Sequence, residues 1–219
     1  MHITVKNLLN IESKVKQKVQ DKNLDQIPQI IAVSKTFKFS HISPLIEYGH
    51  IHFGENKVQE AMEKWLEIKS QNQKIKLHLI GKLQTNKAKF ALEIFDYIHS
   101  LDNEKLAKKL SSLQIEKNKN LKIFIQVNIG NEEQKSGISE RNIQDFYNYC
   151  IDLKLNIVGL MCIPPINQDS RLYFEKMKNL KRKLNIKDLS MGMSSDYLEA
   201  TEYEASYIRI GSNIFGERD

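Results

Sequence analysis

The first apolar pattern is helical. Ile3, Leu8, Leu9, Ile11, Val15 and Val19 recur near a period of 3.6, which predicts an amphipathic helix over residues 3–19. After it the pattern changes to eight short apolar runs: QIIAVS (29–34), HIHFG (50–54), KLHLIG (76–81), YIHSL (97–101), LKIFIQVNI (121–129), LNIVGLMCI (155–163), DLSMGMS (188–194) and YIRIGSNIF (207–215). They are nearly continuous and rich in Ile and Val, as strands buried on both faces of a parallel sheet are. Between them lie segments of helical character, clearest at 55–69, 103–117, 139–151 and 168–184. Asp102 ahead of Asn103–Glu104 is the better helix-start signal, and Ser139 a weaker one. Strand–helix alternation implies βαβ units with right-handed crossovers. Eight units in about 200 residues fit a single (β/α)8 TIM barrel with an extra N-terminal helix, one domain over residues 1–219. The competing arrangement is a doubly wound open sheet; an even strand count and a last strand near the chain end point to closure.

Composition narrows the function classes. Of 219 residues, 41% are apolar and 27% charged, enough for a sizeable core without staples. The net charge of +6 comes from lysines scattered among acids, with no block of five like charges and no interleaving of aromatic and basic residues. A nucleic-acid partner is therefore not expected. No run approaches the roughly 20 apolar residues of a membrane helix, and residues 1–20 lack an apolar signal-peptide core, so no membrane association is expected. Cys150 and Cys162 form no metal or redox motif; as core thiols they suit a reducing, cytoplasmic setting. The six histidines are not at metal spacings: His50 and His52 share a strand face but lack a third ligand. No phosphate-loop, dinucleotide, zinc-protease or serine-hydrolase motif is present.

Chemistry is concentrated at predicted strand ends. Lys35 closes the first strand; held over an apolar floor, a lysine amine becomes a usable nucleophile toward an aldehyde, although lysines at strand ends are mostly surface residues. Met193-Ser194-Ser195-Asp196 follows the seventh strand, and Arg209-Ile210-Gly211-Ser212 spans the eighth and its loop. Loops after strands seven and eight commonly build a phosphate cup in barrels, and Ser194, Gly211 and Ser212 have the chemistry for one. Gly54, Gly81, Gly130, Gly192 and Gly211 also fall near strand ends, where they serve either close ligand approach or turn geometry. A reactive amine opposite a phosphate cup suits pyridoxal 5′-phosphate (PLP).

The segments AVSKT (32–36), FGENKVQE (53–60), HLIGKLQTNK (78–87), KSGI (135–138), GLMCIPP (159–165), LSMGMSSDYLEA (189–200) and IRIGSNIFGERD (208–219) resemble, in order and spacing, the YggS/PROSC family of pyridoxal phosphate homeostasis proteins. That resemblance implies a barrel like the N-terminal domain of alanine racemase, PLP held as an internal aldimine, and no established turnover. Carried over by position, it implies that Lys35 forms the Schiff base. Ser194, Gly211 and Ser212 take the phosphate with Ser195 as helper, Arg209 faces the pyridine nitrogen, and Asn56 sits near the ring. His78 and Met191 line the pocket. An arginine at the ring nitrogen keeps that nitrogen an acceptor, which weakens the ring as an electron sink and damps carbanion chemistry. The chain departs from the family pattern at Lys57, where an aromatic is common, at Tyr197, where methionine is frequent, and at Ser212, where threonine is common. It also ends at Asp219 without the family's usual short tail.

Three functions compete. The first is a PLP carrier, not an enzyme, that stores the cofactor at Lys35 and supplies it to apo-enzymes. The second is a PLP-dependent amino-acid racemase, which needs a second acid–base group on the opposite cofactor face; few residues follow the eighth strand to supply one. The third is a PLP-free phosphosugar isomerase with Glu55 as base. The carrier is expected, as a monomer, with Lys135 read as a solvated loop lysine rather than a second amine for PLP transfer.

Overall fold

A computed structural model of the chain describes residues 1–217. In chain order its elements are α1 (Ile3–Asp21), β1 (Gln29–Val33), α2 (Phe39–Tyr48), β2 (His52–Glu55), α3 (Val58–Gln71), β3 (Lys76–Leu79), α4 (Ala88–Ile94), β4 (Tyr97–Leu101), α5 (Glu104–Lys117) and β5 (Lys122–Asn128). There follow β6 (Ile138–Ser139), α6 (Ile143–Asp152), β7 (Ile157–Cys162), α7 (Ser170–Lys183), β8 (Asp188–Ser190), α8 (Tyr197–Glu202), β9 (Tyr207–Ile210) and α9 (Ser212–Phe215). The strands pair in parallel in the order β1-β2-β3-β4-β5-β7-β8-β9, and β9 pairs back on β1, so eight strands close a TIM barrel. The two-residue β6 adds to β5 outside the ring.

All eight apolar runs contribute a barrel strand. Their continuity follows from burial on two sides. Facing outward, Phe53, Leu77, Ile123, Leu160 and Ile208 pack under the helices together with Trp65 and Phe174, all fully buried. Facing inward, Tyr97, Phe124 and Met161 form a smaller cluster, with Val158 and Tyr207 against it. α1 is the expected extra helix; Val5, Leu8, Ile11, Val15 and Val19 are its buried stripe. It lies across α8 and α9, tied by Asn7 Nδ2 donating to the Ile214 carbonyl (3.0 Å) and by the Lys18–Glu202 pair (2.6 Å).

Helix starts differ from expectation in instructive ways. The helix expected from 55 begins at Val58, because Glu55 is the last residue of β2. Asn103, not Asp102, caps α5, its side chain accepting from Leu106 N at 2.9 Å. Ser139 belongs to β6, and α6 begins at Ile143. The short helices α2 and α4 carried no clear signal: α2 buries only Ile42 and Leu45 and contains Pro44. The Cys150 and Cys162 thiols are both free and buried, and burial pushes both up to about 12, as inert core groups.

Candidate functional site at the barrel mouth

Parallel register decides which loops meet. Val33 pairs with Gly54, so Lys35 and Asn56, two residues further on, leave the barrel side by side on the same face. Ala32 pairs with Ile210, which brings the β1 loop beside Gly211 and Ser212. Ser190 pairs with Tyr207, which puts Ser194 at the height of Gly211. These offsets converge on one cavity of about 460 Å³ at the C-terminal end of the strands, lined among others by Lys35, Asn56, Ser194, Ser195, Arg209, Gly211 and Ser212. Val33, Phe37, Ile80, Ile163 and Met193 give it apolar walls. Seven of the nine residues singled out in the sequence thus share one space. Of the motif 208–219, residues 218 and 219 lie outside the described residues.

The other two sit elsewhere. Met191 follows the inward-facing Ser190, so strand alternation turns it outward into the layer under the helices. His78 does face inward, but lower in the barrel and fully buried, hydrogen-bonded to His52 and His99 at 2.9 Å each.

Each polar group at the mouth has a support. Lys35 is half-buried in a turn held from two sides. Ser34 Oγ donates to Glu55 Oε1 (2.7 Å), Lys64 Nζ donates to the Ser34 carbonyl (2.9 Å), and Thr36 N donates to Glu60 Oε1 (2.5 Å). Thr36 sits at φ +68°. Glu55 is therefore no mouth base. Its carboxylate is turned into the strand–helix layer, where Oε1 also accepts from Trp65 Nε1 (2.9 Å) and Lys64 Nζ (3.0 Å). Burial raises it above the usual carboxylate range. That arrangement removes the catalytic base from the isomerase reading. Asn56 is placed by close contact: a Cβ at Gly81 would stand 2.3 Å from the Asn56 carbonyl oxygen, so only glycine lets the two backbones meet. Gly211 differs. A Cβ there has ordinary contacts at 3.6 Å or more, so its bareness opens space toward the cavity. Phe37 stacks on Phe215 with centroids 4.9 Å apart, locking the β1 loop onto α9. Within α9 the turn bonds begin at Ile214 N and Phe215 N, both onto the Gly211 carbonyl.

Arg209 forms the back wall and is buried. Its Nη1 donates to Ser190 Oγ (2.8 Å) and its Nη2 to the Cys162 carbonyl (2.9 Å), which fixes the guanidinium plane. Burial lowers it from its ordinary range; the Cys162 and Asp196 side chains oppose that through space. Asp196, itself raised by burial, accepts from Met193 N at 2.7 Å and shapes the turn that presents Ser194. Sequence reasoning missed the supports Ser190, Lys64 and Glu60. The signals available were the alternation that turns Ser190 inward with Arg209 and the i,i+4 spacing of Glu60 and Lys64. Lys57 is exposed at the N-cap of α3, and Lys135 is half-buried, pairing with Glu132 (2.5 Å) and donating to the Pro164 carbonyl (3.1 Å).

Among the described residues, no group of His, Cys, Asp and Glu could hold a metal ion, and no helix is long and apolar enough to cross a membrane. Comparison with known proteins gives a consistent picture. The family model described as alanine racemase, N-terminal domain, matches residues 8–219. A pyridoxal phosphate homeostasis protein of Pasteurella multocida is 35% identical over 225 residues, covering 97% of each chain. The PipY protein of Synechococcus elongatus superposes with a TM-score of 0.88 without PLP and 0.84 with PLP bound. It is 32% and 31% identical in the two structures, which cover 98% of this chain and all of PipY. The chain belongs to the alanine racemase N-terminal domain family and, within it, to the pyridoxal phosphate homeostasis proteins.

Proposed function

We propose that this protein binds pyridoxal 5′-phosphate reversibly at the barrel mouth, holds it through Lys35, and hands it to apo-enzymes without turning over a substrate of its own. One observation carries the reading: Lys35 and the Ser194/Gly211–Ser212 turn face a single cavity whose back wall is a buried arginine. The donor set fits the cofactor. It offers a primary amine, two serine hydroxyls beside a bare glycine, apolar walls for a ring, and a cation for a ring nitrogen. PLP supplies an aldehyde that condenses reversibly with a primary amine, losing water, so one bond serves both storage and release. Lys35 provides that amine from a turn fixed by Glu55, Lys64 and Glu60. Ser194, Ser212 and the Gly211 backbone, with Ser195 at the rim, hold the phosphate. Arg209 donates to the pyridine nitrogen, and Asn56 flanks the ring. Because Arg209 only donates, it favours an unprotonated nitrogen, which gives little support to carbanions.

Homologous PipY with PLP bound and the homeostasis proteins of this family support the cofactor. They do not favour the racemase alternative; among the residues lining the cavity the one carboxylate is Glu217, and no tyrosine, histidine or cysteine stands there as a second acid–base group. The reading places the protein in the cytoplasm, as a monomer formed by a single domain. The test is a visible spectrum of purified protein titrated with PLP, followed by borohydride reduction and peptide mapping. A yellow species fixed on the Lys35 peptide is expected, with no loss of optical purity of alanine or serine in the same preparation. A colourless protein after PLP addition overturns the reading, and racemised alanine restores the alternative.

A further inference from the structure

Below the mouth the barrel interior carries an unbroken chain of side-chain hydrogen bonds. Arg209 Nη1 donates to Ser190 Oγ (2.8 Å), and Ser190 Oγ meets His99 Nδ1 (2.8 Å). His99 Nε2 meets His78 Nδ1 (2.9 Å), and His78 Nε2 meets His52 Nδ1 (2.9 Å). Strand register builds the ladder: His78 lies two residues above Lys76, the partner of His52, and His99 two residues above Tyr97, the partner of His78. Aromatic faces hold the rings in line. Tyr97 stacks on His78 (4.1 Å, 14°) and Phe124 on His99 (4.3 Å, 15°).

The top of the chain sets its direction. Arginine has five donors and no acceptor, so Ser190 Oγ accepts from it. A hydroxyl that accepts from Arg209 satisfies its own proton, among the described residues, only by donating to its other partner, His99 Nδ1, and this is the direction we take. A neutral imidazole has one N–H. His99 must then carry its proton on Nε2 and donate to His78, and His78 must do the same toward His52. Burial keeps the rings neutral, pushing His78 and His99 well below the ordinary histidine range and His52 to about 4. Every lone pair in the series thus points toward Arg209 and every proton away from it.

We propose that Ser190, His99 and His78 are positioning residues whose aligned hydrogen bonds replace a carboxylate counter-ion for Arg209, keeping the guanidinium charged and aimed at the cofactor ring. The cofactor part rests on the PLP reading above. Among the described residues no carboxylate hydrogen-bonds Arg209; the Asp196 charge reaches it only through space. Dipoles aligned with their negative ends toward a buried cation stabilise its charge, and the bonds of such a chain polarise one another, without burying a second charge.

Two measurements test this. Side-chain 15N spectra of histidine-labelled, PLP-free protein at pH 7 are expected to show His52, His78 and His99 neutral and protonated on Nε2. An Nδ1–H ring at residue 78 or 99 overturns the direction. In PLP titrations, Ser190→Ala and His99→Phe are expected to weaken binding about tenfold and to move the pH at which the bound chromophore titrates. His99→Gln, which keeps an acceptor and a donor, is expected to stay within about threefold of the unaltered protein. If His99→Phe does not fold, Ser190→Ala decides. Unchanged affinity and an unchanged pH profile in Ser190→Ala overturn the positioning role. A parent protein that takes up no PLP overturns the cofactor part along with the function proposed above, while the 15N result still judges the chain's direction.

Discussion

At the level of single residues, the mouth separates two tasks that share one cavity. Lys35 supplies the covalent link, and Ser194, Gly211 and Ser212 the anion cradle. Lys35→Ala is therefore expected to abolish the visible band and the borohydride-fixed peptide while retaining weak PLP uptake, measurable by equilibrium dialysis. Ser212→Ala is expected to keep the band and raise Kd about tenfold, the effect of losing one hydrogen bond to a charged group. A Lys35→Ala protein with the parent's spectrum sinks that division. Two glycines give a sharper contrast. Gly81→Ala drives a Cβ to within 2.3 Å of the Asn56 carbonyl, backbone against backbone, and is expected to cost about 1–3 kcal/mol of stability in urea unfolding. Gly211→Ala has room at 3.6 Å and is expected to leave the urea midpoint nearly unchanged while weakening PLP binding. Equal loss of stability in both would show that Gly211 also serves packing. The residue types of the cradle were legible in the sequence. The role of Gly81 was not, because its partner is a backbone atom 25 positions away.

At the level of elements, the turn after β1 depends on α3. Lys64 reaches from that helix to the Ser34 carbonyl, Glu55 and Glu60, and only 12% of its side chain is exposed. Glu55 is fully buried, with Oε2 lacking a hydrogen-bond partner among the described residues. Lys64→Met would strand this carboxylate, a change that typically costs about 3–5 kcal/mol. The loss has a predictable pH dependence. A carboxyl raised in the folded state holds a proton that the unfolded chain has already released, so stability falls as pH rises from about 4.5 toward the folded value. Without Lys64 that value moves higher still. The variant is thus expected to be weaker relative to the parent at pH 8 than at pH 5, in urea midpoints taken at both. A pH-independent difference would refute the ion-pair account. The apolar runs announced the strands because burial on both faces leaves little polar alternation. The helices were less legible: Glu55 has the polarity of a helix start yet ends β2, and α2 buries too few residues to mark a stripe. Of the network linking β1, β2 and α3 through Lys64, the sequence carries only the i,i+4 spacing of Glu60 and Lys64; the reach to Ser34 and Glu55 comes from tertiary proximity, for which a one-dimensional pattern has no signature.

At the scale of the whole molecule, the barrel holds four histidines in its lower half, His78 and His99 fully buried and His50 and His52 half-buried, and this fixes its acid limit. His50 and His52 are lowered to about 4, and His78 and His99 well below their ordinary range, chiefly by burial. In the unfolded chain each takes a proton near pH 6.5. Below that pH the unfolded state binds protons that the folded state refuses, so stability declines as pH falls, by at most about 1.4 kcal/mol per pH unit for each histidine. Glu55 and Asp196 act in the opposite sense, since their raised folded values make the native state the better proton acceptor above about pH 4. They are two groups against four, so the histidines prevail between about pH 6.5 and 4. Below about pH 4.5 the paired carboxylates Glu60, Glu202 and Glu204, held low by lysines and by the Thr36 amide, add a second loss. Urea midpoints of PLP-free protein are therefore expected to fall steadily from pH 7 through 5.5 to 4.5, well before carboxylate protonation alone could act. Midpoints that stay level to pH 5 and drop only afterwards would mean that these four histidines are not held neutral in the native barrel.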